Sequence, residues 1–245
     1  MVTYQKSPFG WLFLLGVKNM IKLDKRLGMI AGLVRKGSRL ADIGTDHAYL
    51  AAYLVENEIC CCAIAADINV GPLKNAEETI RACGLETKIK TVLSDGLLSL
   101  EENCADDIVL AGMGGELIAS ILSQVQWIKN KNIRIIAQPM THSEDLRSFL
   151  TDNGFKIEKE AACQDSRHCY CAIVASFCGE KKGYSPSYMY YGELPKNKDE
   201  SSKLFLINQL KRLEIKRCAL EKAQKNQEAS EIKTIIEEIK KELNK

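Results

Sequence analysis

Between residues 39 and 153 five short apolar runs recur, and all but one neighbouring pair are separated by a segment whose apolar residues fall three and four apart. That alternation leaves few physical solutions, because parallel strands need long crossovers and those crossovers bury both faces of the sheet. Residues 39–43, 60–66, 89–93, 107–111 and 133–137 read as strands, and 48–56, 72–83, 115–125 and 143–153 as helices; Gly84 and Gly154 follow two of them. A leading helix over 24–34 carries Leu27, Ile30, Ala31, Leu33 and Val34 at helical spacing and is closed by Gly37. The expected class is α/β, a parallel sheet covered on both sides. After Gly154 the pattern changes: 155–162 and 169–178 read as two strands with only residues 164–168 between them, an antiparallel hairpin at the sheet edge.

Residues 181–198 lack a periodic apolar face, include Pro186 and Pro195, and read as a linker. Beyond it Leu204, Ile207, Leu210, Leu213, Leu220 and Ala223, then Ile232, Ile235, Ile236, Ile239 and Leu243, mark two amphipathic helices over 199–245. The expectation is an antiparallel helical hairpin, a short coiled coil, joined near residues 226–230. It suits either a dimerising or bracing element or a substrate-binding one. With 245 residues, 46% hydrophobic and 27% charged, the chain holds one full domain plus this appendage and is no disordered tail. Residues 181–245 carry fifteen Lys and Arg against ten Asp and Glu, whereas residues 1–180 have a net charge of −3. A basic appendage on a mildly acidic domain suits a polyanionic partner, or is a solvated face.

The ten cysteines contain no C-x-x-C pair; Cys60, Cys61 and Cys62 are consecutive, and Cys169 and Cys171 alternate in an apolar run. They read as small hydrophobes in strands of a reduced, cytoplasmic protein, with no metal site expected. No run reaches membrane-spanning length. The apolar stretch 9–17 has the length of a signal-peptide core but no small-residue cleavage site, so residues 1–19 are expected to be a leader or a misassigned start.

In open parallel sheets ligands bind beyond the carboxyl ends of the strands. Those ends here read Asp42-Ile43-Gly44-Thr45-Asp46-His47-Ala48-Tyr49, Asp67-Ile68-Asn69, Ser94-Asp95-Gly96, Gly112-Met113-Gly114-Gly115 and Gln138-Pro139-Met140. Asp67 stands 23 residues after Gly44, near the offset at which a carboxylate reaches a nucleoside ribose. Asp46 takes the second glycine position of a dinucleotide loop, where it would repel a pyrophosphate. A ligand with an amino group and a sulfonium suits these acids better, which favours S-adenosylmethionine over NAD; Asp67 would take the ribose hydroxyls and Asp95 the adenine amine. The plain alternative is that the acids are local caps, Asp46 for the helix from Ala48 and Asp67 for a turn.

These blocks, with Ala111-Gly112-Met113-Gly114-Gly115, resemble the bacterial tRNA (adenine-22-N1)-methyltransferase family from about Met20 to Phe177, more weakly through the helical tail; the segment before Met20 departs from the family pattern. The resemblance implies a class I, Rossmann-like methyltransferase domain over 20–180, S-adenosylmethionine as methyl donor, adenine N1 of tRNA as acceptor, and a C-terminal coiled-coil hairpin that helps hold tRNA. Cofactor contacts are expected from Asp42, Gly44, Asp46, Asp67, Ile68, Asn69, Ser94, Asp95, Gly96, Gly112 and Met113, although Met113 also reads as packing. Asp46, His47 and Gln138 are the candidates for positioning the adenine, with no general base expected; for His47 loop packing is an equal reading. The loop after the fourth strand lacks the Asn/Asp-Pro-Pro-Tyr/Phe block common in enzymes that methylate exocyclic amines, which supports ring-nitrogen chemistry. His142 and His168 receive no role. Tyr184, Tyr188, Tyr190 and Tyr191, with Lys181 and Lys182, either stack on bases or pack back on the domain. The alternatives are an NAD-dependent oxidoreductase and a non-catalytic RNA-binding protein of this fold. Nothing in the sequence indicates an oligomeric state.

Overall fold

The computed structural model describes residues 21–245, so the leader expected over 1–19 lies outside the described residues. The alternation builds a seven-stranded sheet from β1 (Ser38–Ile43), β2 (Cys60–Asp67), β3 (Ile89–Leu93), β4 (Asp107–Gly114), β5 (Arg134–Thr141), β6 (Phe155–Asp165) and β7 (His168–Phe177), in the order β3-β2-β1-β4-β5-β7-β6. The first five strands pair in parallel; β7 inserts antiparallel between β5 and β6. The chain runs outward from β1 to β3 and then returns to the other side of β1, so strand order reverses between β1 and β4 and opens a crevice at their carboxyl ends.

Apolar residues alternate across the sheet. Leu40, Val109, Ile136 and Val174 face one core, while Ala41, Ile108, Leu110, Ile135 and Ile173 face the other. The first core is covered by α1 (Lys25–Ala31), α2 (Tyr49–Glu56) and α3 (Val70–Ala82), the second by α4 (Gly115–Ser123) and α5 (Ser143–Asp152). Burial on both faces explains why these strands read as near-continuous apolar runs.

The segment read as a linker holds the one-turn helix α6 (Tyr188–Tyr191) and a 3₁₀ turn (Leu194–Lys196), and buries Tyr188 and Leu194 in the second core. Tyr184 stacks on Tyr188 at 4.1 Å, and the Tyr188 hydroxyl donates to Glu193 at 2.8 Å, so these tyrosines pack back on the domain. Their ring-to-ring contacts have no helical or strand period, which is why the sequence pattern concealed them. Beneath them Arg147 and Glu160, both fully buried, pair at 2.7 Å. Arg147 also donates to the Met189 carbonyl at 2.6 Å, and Glu160 accepts the Glu193 amide at 3.0 Å. The pair thus ties α5, β6 and the 184–197 segment together.

The tail forms α7 (Glu200–Lys222) and α8 (Asn226–Leu243). Residues 226–230, expected as the joint, are the first turn of α8; the chain reverses at 223–225, where Gln224 takes a left-handed φ of 58°. Asn, Gln and Glu there gave no apolar period to mark the helix start. The face of α7 that buries fully is Ser202, Leu206, Gln209 and Leu213, displaced from the expected Leu204, Ile207 and Leu210, which are half-buried. The reason is that α7 packs against both α8 and the β6–β7 hairpin, so nearly its whole first half is covered.

Candidate active site

At the β1–β4 crevice the chain must leave the sheet and enter α2 within a few residues. Gly44 adopts φ +76°, and the Gly44 and Thr45 amides donate to the Ala66 carbonyl at 2.8 and 3.0 Å, which folds the loop over the end of β2. A Cβ on Gly44 would meet only the terminal methyl of Met113, which can swing aside, so it is the left-handed φ that calls for glycine here. The Thr45 hydroxyl donates to Asp42 at 2.9 Å and accepts the Ala48 amide at 3.1 Å. Thr45, not Asp46, therefore serves the start of α2, which leaves the exposed Asp46 carboxylate uncommitted to the helix. Burial pushes the Asp42 carboxyl up to about 6; the Thr45 hydrogen bond and the Arg26 charge pull the other way.

A cavity of about 280 Å³ opens here, lined by Asp42, Gly44, Asp46 and His47 from this loop, Ala111 from β4, and Asp24 and Arg26 from the leading helix. His47 touches Asp46 at 3.3 Å and stacks on Tyr49, ring centroids 5.0 Å apart. A larger cavity of about 460 Å³ between the 3₁₀ turn and the tail shares no residue with this one.

The remaining expected residues fall along the same edge of the sheet. Asp67 closes β2, and its carboxylate accepts the Asn69 amide at 2.7 Å, so the turn-starting role is real and occupies one oxygen. Ile68 and Val70 beside it are exposed by 58% and 54%, apolar surface flanking an acid. Ser94 is buried and braces the next loop, donating to the Gly96 carbonyl at 2.9 Å and accepting the Ser99 amide at 3.1 Å, while Asp95 points out with no cationic partner among the described residues. Gly96 at φ +57° lies against Ile121 of α4. Gly112 and Met113 fall in a bulged end of β4, with Gly112 at φ +81°.

Gln138 is fully buried: its Oε1 accepts Arg26 Nη1 at 2.9 Å and its Nε2 donates to the Pro139 carbonyl at 3.0 Å. Its amide is thus committed to the protein. Asp24 and Arg26 escaped the sequence reading because nothing distinguishes Arg26 from Lys25 in one sequence, and Gln138 lies 112 residues away. Glu116, His142 and Asp145 bring one potential ligand atom each within 4.8 Å, but all three are exposed at the starts of α4 and α5, where the positive ends of the helices disfavour a cation.

A family model described as a methyltransferase domain matches residues 23–173. The chain is 37% identical over 157 residues to the tRNA (adenine(22)-N(1))-methyltransferase of Bacillus subtilis (strain 168), a stretch covering 64% of this chain and 66%, just under two thirds, of that relative. The crystal structure of the B. subtilis M1A22 tRNA methyltransferase TrmK superposes with a TM-score of 0.80 at 29% identity, over 91% of this chain and 99% of that one. A putative tRNA (m1A22) methyltransferase of Streptococcus pneumoniae, solved with S-adenosyl-L-methionine, gives 0.76 at 33% identity over 88% and 100%. With its strand order, its acid-lined crevice and these likenesses, the chain belongs to the methyltransferase-domain family and, within it, to the TrmK-like proteins.

Proposed function

We propose that the chain transfers a methyl group from S-adenosylmethionine to N1 of an adenine in tRNA, adenine 22 by family membership. The carrying observation is the crevice at the β1–β4 switch point, where Asp42 and Asp46 stand at the loop that a dinucleotide enzyme would line with glycine amides. Acids beside one arginine fit a zwitterionic amino-acid moiety, and the exposed Ile68 and Val70 beside Asp67 fit a nucleoside. When bound, S-adenosylmethionine supplies an electrophilic methyl group on a sulfonium.

The chain's own groups then bind, orient and exclude water. Asp42 takes the ammonium end, Asp67 the ribose hydroxyls and Asp95 the adenine amine. The Met113 methyl lies over Gly44 and walls the crevice on the β4 side. Adenine N1 has an in-plane lone pair and needs no base to attack, so the protein has only to present it in line and to stabilise the positive charge that grows on the ring, a role we assign to Asp46, exposed at the crevice beside His47. His47, stacked on Tyr49, offers an aromatic surface for the base. Gln138 acts at one remove, through Arg26. Because base pairing occupies N1, the target adenine enters unpaired or flipped out.

We assign the exposed lysines of α7 and α8, among them Lys211, Lys216, Lys222 and Lys233, to tRNA phosphates, and the protein to the cytoplasm, where tRNA is. None of the described helices is long and apolar enough to cross a membrane. The test is incubation with labelled S-adenosylmethionine and bulk tRNA followed by nucleoside mass spectrometry and position mapping. Label in 1-methyladenosine at position 22 is expected. Label in N6-methyladenosine, or tRNA binding without label, would replace this reading with exocyclic chemistry or with a non-catalytic binder.

A further inference from the structure

The geometry points to the turn of the β6–β7 hairpin as a second tRNA contact, in which the His168 and Tyr170 rings stack on an unpaired base flanking the target adenine and Arg167 meets the adjoining phosphate. This rests on the acceptor reading above. The hairpin strands, of eleven and ten residues, overrun their neighbour β5, which has eight. β7 pairs with β5 only from Ser176 to Ile173, whereas its pairing with β6 continues to Asp165 opposite His168. The remainder is a two-stranded ribbon. Because β7 runs antiparallel to β5, the ribbon's closed end projects toward the carboxyl ends of the parallel strands, on the same side as the crevice.

Residues directly opposite on paired strands share a face, so Cys163, Asp165, His168 and Tyr170 lie on one side of the ribbon, and Gln164 and Cys169 on the other. The Tyr170 ring lies 6.0 Å from the guanidinium carbon of Arg26, which turns the first face toward the leading helix and the crevice that Arg26 lines. The Cys169 side chain hydrogen-bonds Asn208, which turns the second face toward α7. The turn therefore bridges the crevice and the helices whose lysines are assigned to phosphates. On the crevice side the His168 and Tyr170 rings stand 6.2 Å apart, tilted by 38°, with His168 exposed and Tyr170 half-buried. Arg167 beside them is exposed and has no hydrogen bond or ion pair among the described residues. An exposed ring and an unpaired guanidinium add little to the fold. They are what single-stranded RNA takes from a protein, a surface for a base and a donor for a phosphate. Asp165 shares the ring face, so the phosphate falls to Arg167 in the turn.

Steady-state methylation of tRNA separates this contact from damage to the cofactor site. His168→Ala should raise KM for tRNA by roughly five- to a hundredfold, the worth of one stacked base. Its kcat and its calorimetric affinity for S-adenosylmethionine should hold, as when a contact equal in ground and transition states is removed. His168→Phe keeps a ring and should return KM close to that of the unaltered chain. Arg167→Gln should reduce the log–log salt slope of tRNA binding by roughly 0.7–0.9, for one phosphate no longer neutralised. A tRNA made abasic on both sides of the target adenine already lacks the stacked base, so His168→Ala should cost it nothing further. A KM unmoved by His168→Ala, a phenylalanine variant as weak as the alanine one, or the same alanine penalty on intact and abasic tRNA would overturn the contact. Failure of the unaltered chain to methylate intact tRNA would overturn the acceptor reading on which it stands.

Discussion

The two edges of the parallel sheet use the same residue type in opposite ways. At the amino edge, where β1 and β4 begin, Asp107 is fully buried and takes the Arg35 side chain and amide at 2.7 Å each, and Asp106 takes the Arg39 guanidinium at 2.7 and 3.1 Å. At the carboxyl edge Asp46, Asp67 and Asp95 have no arginine or lysine partner among the described residues. Apolar groups divide in the same way: of the eight large apolar side chains that stand exposed among the described residues, Tyr49, Ile68, Val70, Leu93, Leu98, Leu117 and Met140 lie at or just beyond the carboxyl ends. A carboxylate whose oxygens are bonded by the fold stabilises the fold; one left open, beside exposed apolar surface, costs the apo protein something and is available to a ligand. Strand ends alone therefore do not identify a site. The state of satisfaction of their polar groups does.

The largest effect should come from breaking a satisfied acid. Asp107→Ala leaves the Arg35 charge facing a vacated buried position and should cost about 3 kcal/mol of stability in urea unfolding, with S-adenosylmethionine affinity of the folded fraction unchanged. A loss below about 0.5 kcal/mol would erase the distinction between the edges. At the other edge Asp67→Ala should do the reverse, weakening S-adenosylmethionine by roughly ten- to a hundredfold in calorimetry while costing the fold only about 1 kcal/mol, for the Asn69 hydrogen bond it gives up. An unchanged affinity there would remove Asp67 from the site.

Asp42 stands between the two cases, buried yet facing the cavity. Its carboxyl is raised to about 6 because burial disfavours the charge, so the native state holds this proton more tightly than the unfolded chain. On the sign of linkage, the fold loses stability from this group as pH rises from the ordinary carboxylate range through about 6. Binding of a cationic amine runs the other way, because only the ionised form attracts it. Affinity for S-adenosylmethionine should rise between pH 5 and 7 with a midpoint near 6, and Asp42→Asn should flatten that rise while stabilising the apo protein at neutral pH. A wild-type affinity flat across that range would contradict the assignment. The smallest effect concerns the tail. Replacing Lys211, Lys216 and Lys222 by Gln should reduce the log–log salt slope of tRNA binding by roughly 0.7–0.9 for each phosphate no longer neutralised, read in filter binding; an unaltered slope would make α7 a brace only.

Much of this was legible in the sequence because it is local. Strand periodicity, the Gly44 turn and the acids at 42, 46, 67 and 95 are each carried by a few adjacent residues, and crossover geometry places them in one row. What was hidden is long-range or lies in packing. Arg26 meets Gln138 across 112 residues, and the Gln138 amide bonds Arg26 at one end and the Pro139 carbonyl at the other, pairings no local pattern marks. The 184–197 segment is ordered by stacked tyrosines and by the Arg147–Glu160 pair, neither of which has a period. In α7 the buried polar residues Ser202 and Gln209 break the apolar stripe because their side chains bond Asn197 and Ser143.

The contrast between the edges is tested most directly by amide hydrogen exchange followed by mass spectrometry, with and without saturating S-adenosylmethionine. The account predicts added protection in peptides spanning 42–49, 67–70, 94–98 and 111–115, and none in those spanning 35–39 and 103–107. Protection confined to the amino edge, or spread evenly over both, would contradict it.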